Sequence, residues 1–236
     1  EVVKPKASGP VAERFTLPPF TILDARTGEW QERKRAWLTL GISGKDGRDG
    51  ELFGFSESLF QRQGGYFEED GTKRNTADTS VFDPVLCELA YRWFSPAGGQ
   101  VVDPFAGGSV RGIVAGALGR KYWGGELRPE QIAANETQAE DIAPSVRPVW
   151  VCGDSMETLP TAPEADFVFS CPPYGDLEKY SDDPRDLSAM DWHAFVAAYK
   201  RIILRAVGRM KPDTFACFVV GDFRDGKGFY RNFVSE

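Results

Sequence analysis

The sequence is poor in the residues that build most metal and disulfide sites. It has one histidine, His193, and four cysteines, Cys87, Cys152, Cys171 and Cys217. The cysteines stand far apart, without the close pairs that zinc and redox sites use, so no metal site is expected. A reducing, cytoplasmic setting is the simplest reading of such cysteine usage. No apolar run reaches the roughly 18–20 residues of a membrane-spanning helix. The opening EVVKPKASGP lacks the apolar stretch of a secretory signal. Cations are in deficit too: 28 Lys and Arg against 35 Asp and Glu leave a formal net charge of −7. That balance counts against a nucleic-acid partner, because phosphate contacts call for excess positive charge. The deficit is uneven, however. Arg26, Arg33, Lys34 and Arg35 crowd one stretch with Trp30 and Trp37. They read either as a solvated helix face or as a local basic surface on an acidic body.

What is present suffices for one sizeable core: 236 residues, 42% of them hydrophobic. Residues 1–20, rich in proline and ending in LPPF, read as an extended arm. Residues 21–42 begin with a short strand-like piece. A helical run follows, with Trp30, Lys34, Trp37 and Leu38 at three- and four-residue spacings. Residues 43–80 are polar, Gly-rich and dotted with aromatics. That is long for a structureless loop, so mobility or shaping by a partner is expected.

From residue 81 the pattern changes. FDPVLCELAYRWF predicts a helix starting at Pro84, with Leu86, Leu89, Ala90 and Trp93 on one face. Short apolar strands follow at 100–105, 121–127, 148–154, 165–170 and 214–222, with helices near 109–118, 129–140 and 191–210. Strand–helix alternation with near-continuous apolar strands predicts an α/β fold: a parallel sheet with helices on both faces.

Several strands end in residues suited to gripping a ligand. VVDPFAGGSVRG (101–112) runs from a buried strand ending in Asp103 through a glycine turn into a helix. Glycines let the backbone approach a ligand, and the first helical turn offers free N–H groups. The spacing is neither GxGxxG nor GK[ST], so neither a dinucleotide fold nor a P-loop is indicated. Glu126 ends the second strand, where such sheets grip a ribose diol. Asp154, followed by Ser155, ends the third. Each acid singly could be a helix N-cap; together they favour a ligand crevice. The fourth strand runs into CPPYGDLE (171–178). Two prolines fix a rigid turn there, and Tyr174 offers a ring to stack on a flat heterocycle.

These motifs together resemble the catalytic core of phage and bacterial S-adenosylmethionine-dependent DNA methyltransferases of the PPY-motif type. DPFAGG resembles their cofactor loop, Glu126 their ribose-binding acid, and PPY the signature of those that methylate an exocyclic amino group. FDPVLCEL (82–89) resembles the helix that closes over the methionine part of the cofactor. LDARTGEWQERKRAW and GDFRDGKGFYRNF resemble further phage-type segments. The resemblance implies a Rossmann-like methyltransferase domain over 81–236, preceded by an arm and a variable, DNA-contacting segment over 1–80. Such sheets normally have seven strands, so a C-terminal segment is expected to be missing, or the arm to supply a strand.

Carried onto this chain, the resemblance implies S-adenosylmethionine as cofactor. Its contacts would be Phe82, Asp103, Pro104, Phe105, Ala106, Gly107, Gly108, Glu126, Leu127, Asp154 and Ser155. Cys171, Pro172, Pro173 and Tyr174 would form the catalytic turn around a flipped base of double-stranded DNA. Arg33, Lys34, Arg35, Lys179, Tyr180, Arg185 and Arg224 are the candidate nucleic-acid contacts.

One position departs from the pattern. The residue before PPY is usually Asp, Asn or Ser, and here it is Cys171. A thiol is a weak acceptor for an amino group. Transfer to adenine N6 or cytosine N4 remains the first reading. Cytosine C5 transfer with Cys171 as nucleophile is the second, and a non-catalytic nucleic-acid-binding module is the third. Asp176 and Glu178 could assist either chemistry or be surface acids. His193 reads as a partly buried structural residue in a helix.

Overall fold

Apolar runs and their Gly/Pro punctuation translate into a layered fold in the computed structural model, which describes residues 23–43, 82–177, 179–225 and 227–236. The expected arm over 1–20 and the expected loop over 43–80, Ser43 excepted, lie outside the described residues, as does Glu178. Among the described residues two helices, α1 (Gly28–Leu38) and α2 (Pro84–Phe94), precede the sheet. The strands β1 (Gln100–Asp103), β2 (Lys121–Glu126), β3 (Val149–Cys152), β4 (Ala165–Ser170) and β5 (Met210–Phe218) then pair in the order β3-β2-β1-β4-β5. Every pairing is parallel. Parallel strands need crossovers. These are α3 (Val110–Ala117), α4 (Pro129–Ile142), the short α5 (Ser155–Thr158) and α6 (Trp192–Val207).

Successive strand residues point to opposite faces, so β1 feeds two cores. Val101 packs in a cluster with Leu89, Tyr91, Ile113, Phe167 and Phe169, whereas Val102 packs with Val168, Phe195, Tyr199 and Ile202. Both faces are covered, which is why the strands read as continuous apolar runs. Burying each large side chain stabilises by roughly 1.5–3 kcal/mol.

α2 starts as its sequence predicts: Pro84 follows the N-cap Asp83, whose side chain accepts the Val85 N–H at 2.9 Å. The face is wider than expected. Leu86 and Trp93 are only partly buried, while Val85, Cys87, Glu88 and Tyr91 are fully covered. The cause is α1, which packs on α2. Glu88, with no exposed surface, takes the Arg33 guanidinium in a bidentate pair. It also accepts from Trp37 Nε1 and Arg92 Nε, each at 2.8 Å. Trp30 Nε1 and Lys34 Nζ both reach Asp83 at 3.1 Å. Arg33, expected among the nucleic-acid contacts, is therefore corrected to an interior residue, because its charge is spent on Glu88. Lys34 is tied to Asp83, and Arg35 is exposed.

β5 also differs from its expected span of 214–222. It begins at Met210, opposite Ala165, and ends at Phe218, opposite Ser170. A register shift between Ala165 and Phe167 absorbs the residues around Asp213, which has a φ of 56°. Pro212 is tolerated because β5 is one of the two edge strands of the sheet among the described residues. After it, β6 (Phe223–Arg224) and β7 (Tyr230–Arg231) form a short antiparallel hairpin. Among the described residues no helix is long and apolar enough to cross a membrane.

Candidate active site

Strand order reverses between β1 and β4, and a cavity of about 300 Å³ opens there, at the carboxyl ends of the strands. Doubly wound sheets bind ligands in this crevice, because each strand exit delivers a loop to it. The exit of β1 contributes Pro104, Phe105, Gly107 and Gly108, and that of β2 contributes Glu126 and Leu127. Asp154 and Ser155 come from β3, and Cys171, Pro172, Pro173 and Tyr174 from β4. Phe82, just before α2, completes the apolar wall.

Gly107 adopts a positive φ of 50°, a region side chains disfavour, and this turns the chain from β1 into α3. Two side chains hold the turn: Gly107 N–H donates to Glu126 Oε2 at 2.9 Å, and Asn135 Nδ2 donates to the Gly107 carbonyl at 2.7 Å. The other Glu126 oxygen accepts the Arg128 N–H at 2.9 Å. Each oxygen keeps a second lone pair for a ligand hydroxyl. Burial raises the Glu126 pKa, opposed by the N–H groups of Arg128 and Gly107 and by the Arg128 charge. Asp154 both lines the cavity and caps α5, accepting the Met156 N–H at 2.8 Å. Ser155 Oγ donates to the Pro104 carbonyl and so ties the β3 exit to the β1 exit.

Two expected cofactor contacts stand elsewhere. Asp103 and Ala106 have no exposed surface and do not line the cavity. Asp103 is a structural hub behind it. Its carboxylate accepts from Arg111 Nε at 2.6 Å, Tyr122 Oη at 2.7 Å and the Phe105 N–H at 3.1 Å, and also from Ser170 Oγ. Burial pushes the Tyr122 phenol well above its ordinary pKa, with the neighbouring Asp103 charge adding to it, so Tyr122 remains a donor.

The diproline turn presents Tyr174 between two rings. Phe223 and Phe233 meet it edge-on at 6.1 Å and 6.0 Å, and its hydroxyl donates to the Val219 carbonyl at 3.4 Å. Burial raises its pKa, as does the Cys171 side chain, so the phenol stays neutral. Above the crevice, Tyr180 and Arg185 line the cavity. Arg128 Nη1 donates to the Tyr180 carbonyl at 3.1 Å, and Tyr180 N–H donates to Ser188 Oγ at 3.1 Å. Arg185 pairs with Asp183 at 2.7 Å and holds that carboxyl down to a pKa of about 2 through hydrogen bonds.

The remaining candidates are dispersed. Lys179 pairs with Asp182, and Arg224 donates to the Gly228 carbonyl at 3.1 Å; neither lines the cavity. Asp176 is exposed and does not line it either. His193, expected to be partly buried, is exposed in the first turn of α6. Sequence reading missed Arg111, Arg128 and Gln131, all of which line the cavity. Arg111 lies on the same helix as many apolar residues and looks like an ordinary surface cation. Only a rule that a buried strand-end acid needs a partner in the first turn of the next helix could have flagged it.

No protein-family model and no curated protein matches the chain. Among solved structures it is similar to TrmN from Thermus thermophilus, with 20% identity, 58% of this chain and 38% of that one covered, and a TM-score of 0.47. Precorrin 8W decarboxylase from Methanobacterium thermoautotrophicum aligns at 13% identity over 61% of this chain and 66% of that one, with a TM-score of 0.45. A TehB-like SAM-dependent methyltransferase from Corynebacterium glutamicum aligns at 17% over 74% and 75%, with a TM-score of 0.42. The chain thus spans 38% of the length of TrmN and 66% of the decarboxylase.

Proposed function

We propose that this chain holds S-adenosylmethionine at the strand ends and methylates the exocyclic amino group of adenine or cytosine in double-stranded DNA. The observation that carries the reading is that Glu126 and the Cys171–Tyr174 turn line one and the same cavity. The residues fit the cofactor. Glu126 has lone pairs for a ribose diol, Gly107 and Gly108 leave the backbone bare, and Phe82 and Leu127 give apolar surface. Bound there, the cofactor supplies a methyl group made electrophilic by its sulfonium.

The protein's share of the chemistry is chiefly orientation. Ser170 cannot align the amine, because it is fully buried and its hydroxyl is committed to Asp103. Alignment falls to Cys171, whose carbonyl oxygen is a better acceptor than its thiol. Pro172 and Pro173 fix that carbonyl, and the Tyr174 ring is braced by Phe223 and Phe233 to stack on an everted base. With the cofactor bound, the amine itself would be the nucleophile toward its methyl group, and the turn would hold the amine in line while its surplus proton passes to solvent. Exposed Phe229 and Tyr230 next to Arg224 supply aromatic and basic surface for the polynucleotide.

A second reading has its own observation: Cys171 itself lines the cavity, as a covalent nucleophile for cytosine C5 transfer must. Nucleoside mass spectrometry of DNA, and separately of RNA, treated with protein and S-adenosylmethionine tests both. N6-methyladenine or N4-methylcytosine in DNA is the expected product, and 5-methylcytosine selects the second reading. Methylation confined to RNA removes DNA as substrate. Protein that binds the cofactor yet methylates neither polymer is a binding module.

A further inference from the structure

We propose that Arg111 is the cavity's anion-binding residue and takes the carboxylate at the amino-acid end of the cofactor, an assignment that rests on the reading above. Three sides of its guanidinium are already fixed. Nε donates to Asp103 at 2.6 Å, and Nη2 donates to the carbonyls of Phe105 and Ala106 at 2.6 Å and 2.8 Å. The Phe82 ring covers one face, with the guanidinium carbon 4.7 Å from its centroid. Nη1 makes no hydrogen bond among the described residues, although Arg111 is only 5% exposed and what surface remains belongs to the cavity wall.

Nη1 is not among the fully buried donors without a partner, so its N–H groups stay open to whatever enters the cavity. Asp103 does not quench the guanidinium charge in full, because that carboxylate is shared with Tyr122, Ser170 and the Phe105 N–H. Burial opposes the Arg111 charge, yet Asp103 holds its pKa above the ordinary arginine value, so the cation persists. A pre-oriented guanidinium edge with one face capped by an aromatic ring suits a carboxylate that enters along the cavity floor. Glu126 stands on the β2 exit and Arg111 beyond the β1 exit, so a ligand with a diol at one end and a carboxylate at the other has a partner for each.

Calorimetry with S-adenosylhomocysteine, its carboxamide analogue and 5′-methylthioadenosine tests the assignment on wild-type protein. Loss of a charge-assisted hydrogen bond is expected to weaken the carboxamide, and the thioadenosine, by roughly ten- to a hundredfold. In Arg111→Lys, which keeps a charge for Asp103, the ratio between S-adenosylhomocysteine and its carboxamide is expected to collapse toward one. A merely structural Arg111 would weaken all three ligands alike and leave the ratio standing, which overturns the assignment. Equal affinity of wild-type protein for the acid and the amide overturns it as well. Should Arg111→Lys fail to fold, Asp103→Asn/Arg111→Met, which removes both charges together, carries the same ratio. No binding of any of the three ligands by folded wild-type protein refutes the cofactor reading itself, a different outcome from equal binding.

Discussion

Glu126 Oε2 accepts the backbone N–H of Gly107 at 2.9 Å, so the acid ending β2 holds the glycine turn that follows β1. One carboxylate thereby shapes the loop and offers its remaining lone pairs to a ligand. The two tasks are coupled through protonation. Because burial raises the Glu126 pKa, the folded protein holds this proton more tightly than the unfolded chain does. Its contribution to stability is thus complete below the ordinary glutamate pKa of 4.5 and is lost as pH rises through the raised value.

Ligand affinity should run the opposite way. A diol that donates to the carboxylate favours the ionised form, so S-adenosylhomocysteine affinity is expected to fall as pH drops through the raised pKa. Binding in that window should release protons, visible as a buffer-dependent enthalpy. Glu126→Gln should abolish both effects and weaken binding by roughly tenfold or more, as expected for loss of a charged acceptor. A wild-type affinity that stays flat on acidification would show that the carboxylate does not hold the ligand.

Glu88 carries the contact between α1 and α2. Glu88→Gln leaves Arg33 buried beside a neutral partner, which is expected to cost about 3–5 kcal/mol in urea unfolding. Amide exchange should rise across 28–38 before it rises in β4. Protection of α1 equal to that of β4 in the variant would remove Glu88 as its anchor.

Tyr174→Ala is expected to lower kcat/KM for the polynucleotide by roughly ten- to a hundredfold, the scale of one lost base–aromatic stack. Tyr174→Phe keeps the ring and should retain most activity. Cofactor affinity should hold in both. A Phe variant as impaired as the Ala variant would move the role from the ring to the hydroxyl.

Cys171 separates the two chemistries. Under amino transfer, Cys171→Ser should keep or raise the rate, because a hydroxyl is the better acceptor. Under C5 transfer the same change should abolish turnover, since an unactivated serine cannot replace the thiolate. Product analysis of the variant by mass spectrometry reads the difference.

How far the site was legible in the sequence differs residue by residue. Gly107, Gly108 and Glu126 announce themselves because a turn after an apolar strand, and an acid at a strand's end, are local patterns. The Cys171–Tyr174 turn is legible for the same reason: two prolines forbid both helix and ladder. Arg33 misleads, since a cation in a charged helical run looks solvated until Glu88, 55 positions away, is packed against it. Asp103 misleads too: its position is right for a ligand contact, but Arg111, Tyr122 and Ser170 converge on it from three other elements.

The sequence by itself determined the parallel sheet, the helices that cross it and the strand exits that surround the cavity. Hydrophobic period and backbone stereochemistry act within a few residues, and they survive in any context. Only the tertiary structure decided which charges face the cavity and which are consumed behind it. Desolvation and pairing depend on distances between layers, and residues far apart in the chain acquire those distances only when the layers close. Arg111 is the measure of this: on its helix an unremarkable cation, in the folded protein a buried guanidinium whose Nε and Nη2, but not Nη1, find partners among the described residues.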